Sequence, residues 1–270
     1  MACVDKGRKN AWGFNPRRAG ITYFWGCDLG FKKDATALAI CHWEQTQKGD
    51  FVLVYDYIDR MIVGEGEWEN AHELDLEAIL DWFEDMNQWL PGRFGVIDQY
   101  AGAMFTQLCT QRGLSFIELV HLTEAINSEA GFAIQGYINQ GIARFPDVEK
   151  FIHEMGTVEA YYVGKHRIKI ESPSGEKNAH DDMYDAVALA AWKAQKWMME
   201  DGGKGFAYTG QAIQVGGEEL RPGDLGVDLE TASMAQLRVN ERMKALERLS
   251  AARQGTMPMN ARMSARRGRF

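Results

Sequence analysis

Aspartates stand at the ends of apolar segments at several places in the 270-residue chain. Asp28 follows the β-branched and aromatic segment 21–27, and Asp34 comes shortly after it across a tight turn. Asp98 ends a second apolar run, 94–97. If the two runs form neighbouring parallel strands, their carboxyl ends meet at one edge of the sheet, and we expect Asp28 and Asp98 to lie together there.

A third acidic group opens a helix-forming segment that extends over 179–199. The small residues of this segment form one stripe, typical of a helix that packs closely on a sheet: Ala186, Val187, Ala190, Ala191 and Ala194. At about 100° per residue, Asp182 lies nearer to this stripe than Asp181, so Asp182 is expected to point toward the sheet. Taken alone, Asp181 could serve as a helix cap and Asp185 as a solvated acid.

Several carboxylates at one point repel each other unless a cation lies between them. Carboxylate oxygens are the ligands that hard divalent cations prefer. A single aspartate at a strand end or a helix start is more commonly a turn or capping residue. The prediction of a metal site therefore depends on the coincidence of several aspartates at one edge of the sheet. They are Asp28, Asp34, Asp98 and Asp182.

The remaining pattern predicts an α/β fold in which a mixed sheet carries helices on both faces. Three strands joined by short turns form an antiparallel meander, and strands and helices then alternate to add parallel strands. Right-handed crossovers place the fourth strand beside the first. The predicted strands are 21–27, 35–43, 51–58, 94–97 and 115–120 with a hairpin within 161–170, and the predicted helices are 72–90, 101–112, two between 123 and 158, and 179–199.

Composition divides the chain into four segments. Hydrophobic residues make up 46% and charged residues 25%, a balance that excludes fibrous and wholly disordered proteins. Glycines are concentrated after the last strong helix, which predicts a flexible linker there. The predicted segments are a linker or arm over 1–20, a folded domain over 21–200, a Gly-rich linker over 201–228, and an amphipathic helix with a basic tail over 229–270.

The net charge of −8 argues mildly against a nucleic-acid partner. Residues 241–270 are nevertheless rich in Lys and Arg, as in a tail that seeks an anionic partner or one that is simply solvated. No apolar segment is long enough to span a bilayer and no secretory signal is evident, so no membrane partner is expected. The four cysteines form no C-x-x-C pair, which indicates a reducing, cytosolic compartment.

Three motifs together resemble the nuclease domain of tailed-bacteriophage large terminase subunits, which has the RNase H-like fold. They are Gly26–Gly30 with Lys33–Ala37, then Val96–Asp98, and finally His180–Ala190. The short D-x-G start is weakly specific, whereas the closing run, in this order after the other two, is far more specific. The resemblance covers residues 20–200.

The resemblance implies an endonuclease that cuts concatemeric viral DNA during genome packaging, with little sequence preference. It implies two divalent cations, Mg²⁺ or Mn²⁺, that clamp the scissile phosphate. Asp28 is expected to bridge both ions, with Asp98 and Asp182 on either side as the other catalytic residues. The full set of implied metal ligands adds Asp34 and Asp181, and His180 would be an accessory residue.

The resemblance also implies partners and a location. The partners would be double-stranded DNA, the capsid portal, the small terminase subunit and an ATPase motor domain, and the location would be the procapsid portal in the cytoplasm of the infected bacterial host. The chain contains no G-x-x-x-x-G-K-[ST] motif, so it is expected to act as a nuclease piece without the motor.

Basic residues around the same edge are predicted to contact DNA phosphates, which needs no readout of bases. Two lie in the turn between Asp28 and Asp34, and three lie in the hairpin before the last helix. These residues are Lys32, Lys33, Lys165, Arg167 and Lys169.

Other functions remain open at this point. A junction resolvase or a transposase uses the same metal chemistry on another substrate. The segment Asp28–Gly30 also resembles the first phosphate loop of actin-like ATPases, but the residues that follow Asp98 match the second loop of that class poorly. A catalytically inactive docking module is a further alternative, against which the intact aspartates argue.

Overall fold

The computed structural model describes residues 3–10, 20–32, 34–47, 49–98, 102–162, 167–173, 180–200, 213–215 and 218–220. The chain divides into two compact units, one formed by Met1–Tyr162 with Arg167–Asp201 and the other by Val163–His166 with Gly202–Phe270. None of the described helices combines the length and the hydropathy needed to cross a membrane.

The first unit alternates strands and helices along the chain. Its elements are β1 (Tyr23–Asp28), β2 (Thr36–Gln45), β3 (Phe51–Met61), α1 (Leu76–Trp89), β4 (Gly92–Asp98), α2 (Gly102–Gln111), β5 (Ile117–Val120), α3 (Glu124–Asn139), β6 (Ala143–Arg144), α4 (Glu149–Thr157), β7 (Glu159–Tyr162), β8 (Ile168–Glu171) and α5 (Asp182–Glu200). In the second unit, the described residues form a hairpin of β9 (Ile213–Val215) and β10 (Glu218–Leu220).

The main sheet has the strand order β5-β4-β1-β2-β3-β6. The pairs β1–β2 and β2–β3 are antiparallel, whereas β4 pairs in parallel with both β1 and β5. The predicted mixed sheet, with the fourth strand beside the first, is therefore confirmed. The short strand β6, parallel to β3, was not predicted, because two residues in the break between two helices are too few to show an alternating pattern.

Helices cover both faces of the sheet, as predicted. On one face, Trp25 and its neighbours pack against α1 and α2, with Trp25 and Phe83 in edge-to-face contact. On the other face α5 approaches β1 so closely that a Cβ at Gly26 would lie 2.1 Å from the carbonyl oxygen of Ala186 and 2.4 Å from the backbone nitrogen of Ala190. The small-residue stripe is therefore the surface by which α5 contacts the sheet.

Two further details of the first unit concern element ends. Helix α1 starts later than predicted, at Leu76, because the Asp75 side chain caps it by accepting a hydrogen bond from the Glu77 backbone nitrogen. The amino-terminal residues 3–10 lie along the sheet edge, where Val4 pairs with Phe145. The segment 201–228, predicted as a linker without strands, contains the short strands β9 and β10. The helix and basic tail predicted over 229–270 lie outside the described residues.

The contact between α5 and β1 leads to a stability prediction. Gly26→Ala should destabilise the protein by at least about 2 kcal/mol, because backbone atoms of α5 must move away from the added methyl group. Gly156→Ala is the matched control. A Cβ at Gly156 would meet nothing within 4 Å, and alanine favours the helical conformation of α4 by up to about 1 kcal/mol. Urea unfolding of both variants measures the difference, and equal midpoints would contradict the close packing.

Candidate functional site

The carboxyl ends of β1 and β4 bring two of the predicted aspartates to one edge of the sheet. Cys27 of β1 is paired with Ile97 of β4, so the next residues along the two parallel strands, Asp28 and Asp98, lie side by side. Both side chains are half-buried. Asp34 is exposed in the loop that connects β1 to β2. The sheet register alone therefore places Asp28 and Asp98 as the strand pattern predicts.

Asp182, the first residue of α5, faces this edge. Its side chain is buried, and Oδ1 accepts a hydrogen bond of 3.0 Å from the backbone nitrogen of Ala35, which is next to Asp34 in the chain. The Asp181 side chain instead accepts a hydrogen bond of 2.9 Å from the backbone nitrogen of Ser172. The two neighbouring acids thus point to different partners, and Asp182 is the one fixed to the β1–β2 connection.

The carboxylates affect one another electrostatically. The pKa of Asp28 is raised well above its ordinary value, first by burial and then by the negative charges of neighbouring aspartates. The pKa of Asp182 is raised to about 6, again mainly by burial, while the hydrogen bond from Ala35 opposes the shift. The acids that raise the pKa of Asp28 are, in decreasing order, Asp182, Asp98, Asp181 and Asp34. The aspartates singled out in the sequence therefore form one electrostatic cluster.

Asp185 is a member of this cluster that the sequence analysis left out. Burial raises its pKa well above the ordinary value, and Asp28 is the largest of the charges that add to the shift. The interpretation of Asp185 as a solvated acid is therefore wrong. The signal was present in the sequence, because residues three apart in a helix lie on the same face, and Asp185 follows Asp182 at that spacing.

Glu154 of α4 was also missed. Its buried carboxylate accepts a hydrogen bond of 2.8 Å from the backbone nitrogen of Tyr184 in the first turn of α5. The other oxygen accepts a 3.2 Å hydrogen bond from Arg60 at the end of β3. Burial raises the pKa of Glu154 to about 7. Glu154 thus holds the start of the helix that carries Asp182, and nothing in the sequence pattern singles out a glutamate on a different helix.

His180 precedes α5 and lies against the cluster. Its Nδ1 is 3.4 Å from Oδ2 of Asp182. Its pKa is lowered, first by burial and then by the positive charge of Arg60. A lowered pKa favours the neutral imidazole, which can both donate and accept a hydrogen bond at this edge.

The predicted DNA-contacting residues are only partly described. The Lys32 side chain is exposed, with Nζ 3.6 Å from a carboxylate oxygen of Glu73. Lys33 and Lys165 lie outside the described residues. Two more form ion pairs on the surface of the first unit: Arg167 with Glu124 and Lys169 with Glu171. Each described cation of this group is thus matched with a surface carboxylate, and contact with DNA stays a prediction for all of them.

The cluster fits a divalent cation in its chemistry. Its donors are carboxylate oxygens, and the repulsion between them is what a cation relieves. Within the described part of the chain, no three His, Cys, Asp or Glu side chains already stand where they could hold one metal ion together.

Solved structures of phage terminases share this fold. The large terminase nuclease from thermophilic phage G20c with bound magnesium superposes with a TM-score of 0.50 at 13% identity, over 66% of this chain and 84% of that one. Its form with bound cobalt gives the same values. The large terminase of bacteriophage HK97 matches with a TM-score of 0.54 at 12% identity, over 67% of this chain and 41% of that chain's length.

No protein-family profile and no curated protein matches the chain. The structural likeness, at these low identities, concerns the fold. The RNase H-like fold and the resemblance to large terminase nucleases that the three motifs indicated are confirmed at that level.

The repulsion within the cluster predicts the effect of removing one charge without metal. The pKa of Asp28 is higher in the folded than in the unfolded chain, so the folded state binds the proton more tightly. Stability is therefore lost as pH rises above the unfolded pKa of about 4. Asp28→Asn keeps the shape and removes this cost. In EDTA at neutral pH it should melt higher than the wild type, by roughly 2–4 °C for each kcal/mol of repulsion relieved.

Thermal melting between about pH 4 and pH 8 in EDTA, and again with excess Mg²⁺ or Mn²⁺, measures this effect. The advantage of Asp28→Asn should vanish at the acid end, and metal should stabilise the wild type more than the variant. Asp85→Asn, which changes an exposed carboxylate on α1, is the matched control and should melt like the wild type throughout. A lower melting point of Asp28→Asn in EDTA, with an equal response to metal, would make Asp28 a structural turn residue.

Proposed function

We propose that this chain is a metal-dependent endonuclease that cuts double-stranded DNA, namely concatemeric viral DNA during genome packaging. The observation that carries the proposal is the meeting of Asp28, Asp98 and Asp182 at one sheet edge. The fold that positions them is one that phage large terminases share.

Asp28, Asp98 and Asp182 are the proposed catalytic ligands, with Asp34 and Asp181 as further metal ligands. These residues would hold a pair of Mg²⁺ or Mn²⁺ ions, which would supply Lewis acidity and an activated water for attack on the phosphate. Asp28 lies on an inner strand between β2 and β4, which keeps its position fixed. Oδ1 of Asp182 is already held by Ala35.

His180 is the proposed accessory residue. Its Nδ1 lies 3.4 Å from Oδ2 of Asp182 and can orient that carboxylate. Because burial lowers its pKa, the neutral ring is favoured, and it can donate or accept a hydrogen bond at the edge of the cluster. This role is auxiliary, since bound ions would supply most of the activation of the attacking water.

DNA has to approach a chain whose net charge is −8. We propose that five cations contact the DNA phosphates, and that the three described with a carboxylate partner, Lys32, Arg167 and Lys169, exchange it for a phosphate when DNA binds. The five cations are Lys32, Lys33, Lys165, Arg167 and Lys169. Contacts to phosphates do not distinguish one base from another, so cutting would show little sequence preference. Because these contacts are electrostatic, DNA binding would weaken steeply as the salt concentration rises.

The proposed partners beyond DNA are an ATPase motor domain, the small terminase subunit and the capsid portal. The match covers only 41% of the length of the HK97 large terminase, so that protein has further chain outside the matched part. The proposed location is the cytoplasm of an infected bacterium, at the procapsid portal. The basic tail over 229–270 is the segment proposed to dock on such a partner.

Supercoiled plasmid tests the proposed activity. With Mn²⁺ or Mg²⁺ the protein should nick and then linearise the plasmid, and EDTA should stop the reaction. Asp28→Asn and Asp98→Asn should each lower the rate by more than the roughly 100-fold that loss of an outer-shell partner costs. Asp85→Asn should cut like the wild type.

Two outcomes would contradict the proposal. Intact plasmid at high protein concentration with both metals would exclude nuclease activity of this chain. Cleavage restricted to four-way junctions would replace the packaging nuclease by a junction resolvase.

A further inference from the structure

A small pocket of about 80 Å³ lies beside the carboxylate cluster. Four of its six lining side chains can donate hydrogen bonds from nitrogen. Its lining residues are Arg60, Lys150, His153, Glu154, Thr157 and His180. His180 belongs to both the pocket and the cluster, because its Nδ1 lies 3.4 Å from Asp182. The pocket has room for several water-sized groups, which suits a compact oxyanion.

Arg60 has a donor that lacks an acceptor. Its side chain is only 9% exposed, and its two terminal nitrogens bond to Glu154 and Glu65 at 3.2 and 3.1 Å. Among the described residues, no acceptor lies within hydrogen-bond distance of Nε. A buried guanidinium N–H without a partner is costly, so Arg60, one of the residues that line the pocket, has unused hydrogen-bonding capacity.

One acceptor already in place is partly exposed to solvent. The Glu65 carboxylate spans two cations, with one oxygen bonded to Arg60 and the other 2.5 Å from Nζ of Lys150. Its side chain is 40% exposed, and it lies between Gly64 and Gly66, both in left-handed conformations that glycine adopts without strain. A phosphate can bind the same two cations through two of its own oxygens. Glu65 can therefore be replaced there.

Glu154, in contrast, is a fixed part of the pocket. It is 3% exposed, and its two oxygens are bonded to Arg60 and to the Tyr184 backbone. An incoming anion would therefore displace Glu65 and leave Glu154 in place. Without Glu65, the cations Arg60 and Lys150 outnumber Glu154, so the pocket becomes net positive.

The sheet register fixes the pocket relative to the cluster. Asp28 is paired with Ala37, and Ala37 is paired with Arg60, so the three residues form one row across β1, β2 and β3. Paired residues project from the same face of a sheet. Two strand spacings separate the Asp28 and Arg60 backbones by about 9.5 Å. The pocket residue Arg60 therefore lies at a fixed distance from Asp28.

We propose that this pocket binds a phosphate of the DNA backbone other than the scissile one, and that this phosphate displaces Glu65 from Arg60 and Lys150. The inference rests on the proposed nuclease function and adds a positioning contact to it. A backbone phosphate is common to every sequence, so the contact sets the register of the strand on the site without reading bases.

Removing either partner of the Lys150–Glu65 ion pair tests the proposal, because the two substitutions should change DNA affinity in opposite directions. In Ca²⁺, which should not support cutting, a labelled DNA duplex should bind Lys150→Ala roughly fivefold more weakly. The same duplex should bind Glu65→Ala more tightly by a similar factor, because the phosphate no longer competes with a carboxylate. The slope of log affinity against log salt should fall in magnitude by about 0.9 for Lys150→Ala, and Lys150→Arg should restore it.

A matched ion pair controls for net charge. Nζ of Lys193 in α5 lies 2.6 Å from Oε2 of Glu118 in β5. Lys193 is about 16 Å along the helix from Asp182. Lys193→Ala and Glu118→Ala change the net charge as the two test variants do, and should leave DNA affinity nearly unchanged. Equal shifts in the test pair and the control pair would overturn the proposal.

Two further readouts separate the possible failures. If wild-type protein cuts plasmid with Mn²⁺ but Lys150 and Glu65 variants bind DNA like the wild type, the pocket assignment fails and the nuclease function stands. If the wild type neither binds nor cuts DNA, both fail. If inorganic phosphate shifts the imidazole resonances of His153 in a Lys150-dependent way while DNA affinity ignores Lys150, the pocket serves free phosphate and the DNA assignment is overturned.

Discussion

Helix α5 approaches strand β1 so closely at Gly26 that no side chain fits between them. This contact sets the depth and the direction of the helix start, and with them the position of Asp182 relative to Asp28. Further bonds at the same end hold that position, since Ala35 donates to Asp182 and Glu154 accepts from the first turn of the helix. The packing of the α5 backbone on β1 therefore brings the carboxylates together, although the repulsion between their charges opposes this arrangement.

Repulsion between the carboxylates of the cluster lowers the stability of the metal-free protein. Burial and mutual charge raise the pKa values of Asp28, Asp182 and Asp185, so each is harder to ionise than a free aspartate. Packing of the sheet and of the small-residue stripe supplies the stability that tolerates this. A site of this kind gains most when cations arrive, because binding energy and relief of repulsion add.

The surroundings of the cluster present cations that are matched with carboxylates. Lys32, Arg167 and Lys150 each lie beside an exposed glutamate. Such pairs contribute little to stability at the surface, so their carboxylates are easily exchanged for stronger anions. This is the property that the proposed contact with a polyanion requires of an acidic protein. The affinity for a polyanion bound in this way would fall as the salt concentration rises, since each new phosphate contact releases counterions.

The order of motifs along the chain determined the main features of the fold and the identity of the principal carboxylates. Strand periodicity and right-handed crossovers sufficed to bring Asp28 and Asp98 to one edge, because backbone pairing follows from local pattern. The small-residue stripe likewise predicted which face of α5 meets the sheet. Only tertiary structure decided the roles of Glu154 and Arg60. Their partners lie on other elements, and the direction of a polar side chain depends on what packs around it. The same holds for the pocket beside the cluster, since Arg60 and Glu65 are joined to Lys150 and Glu154 only by the fold.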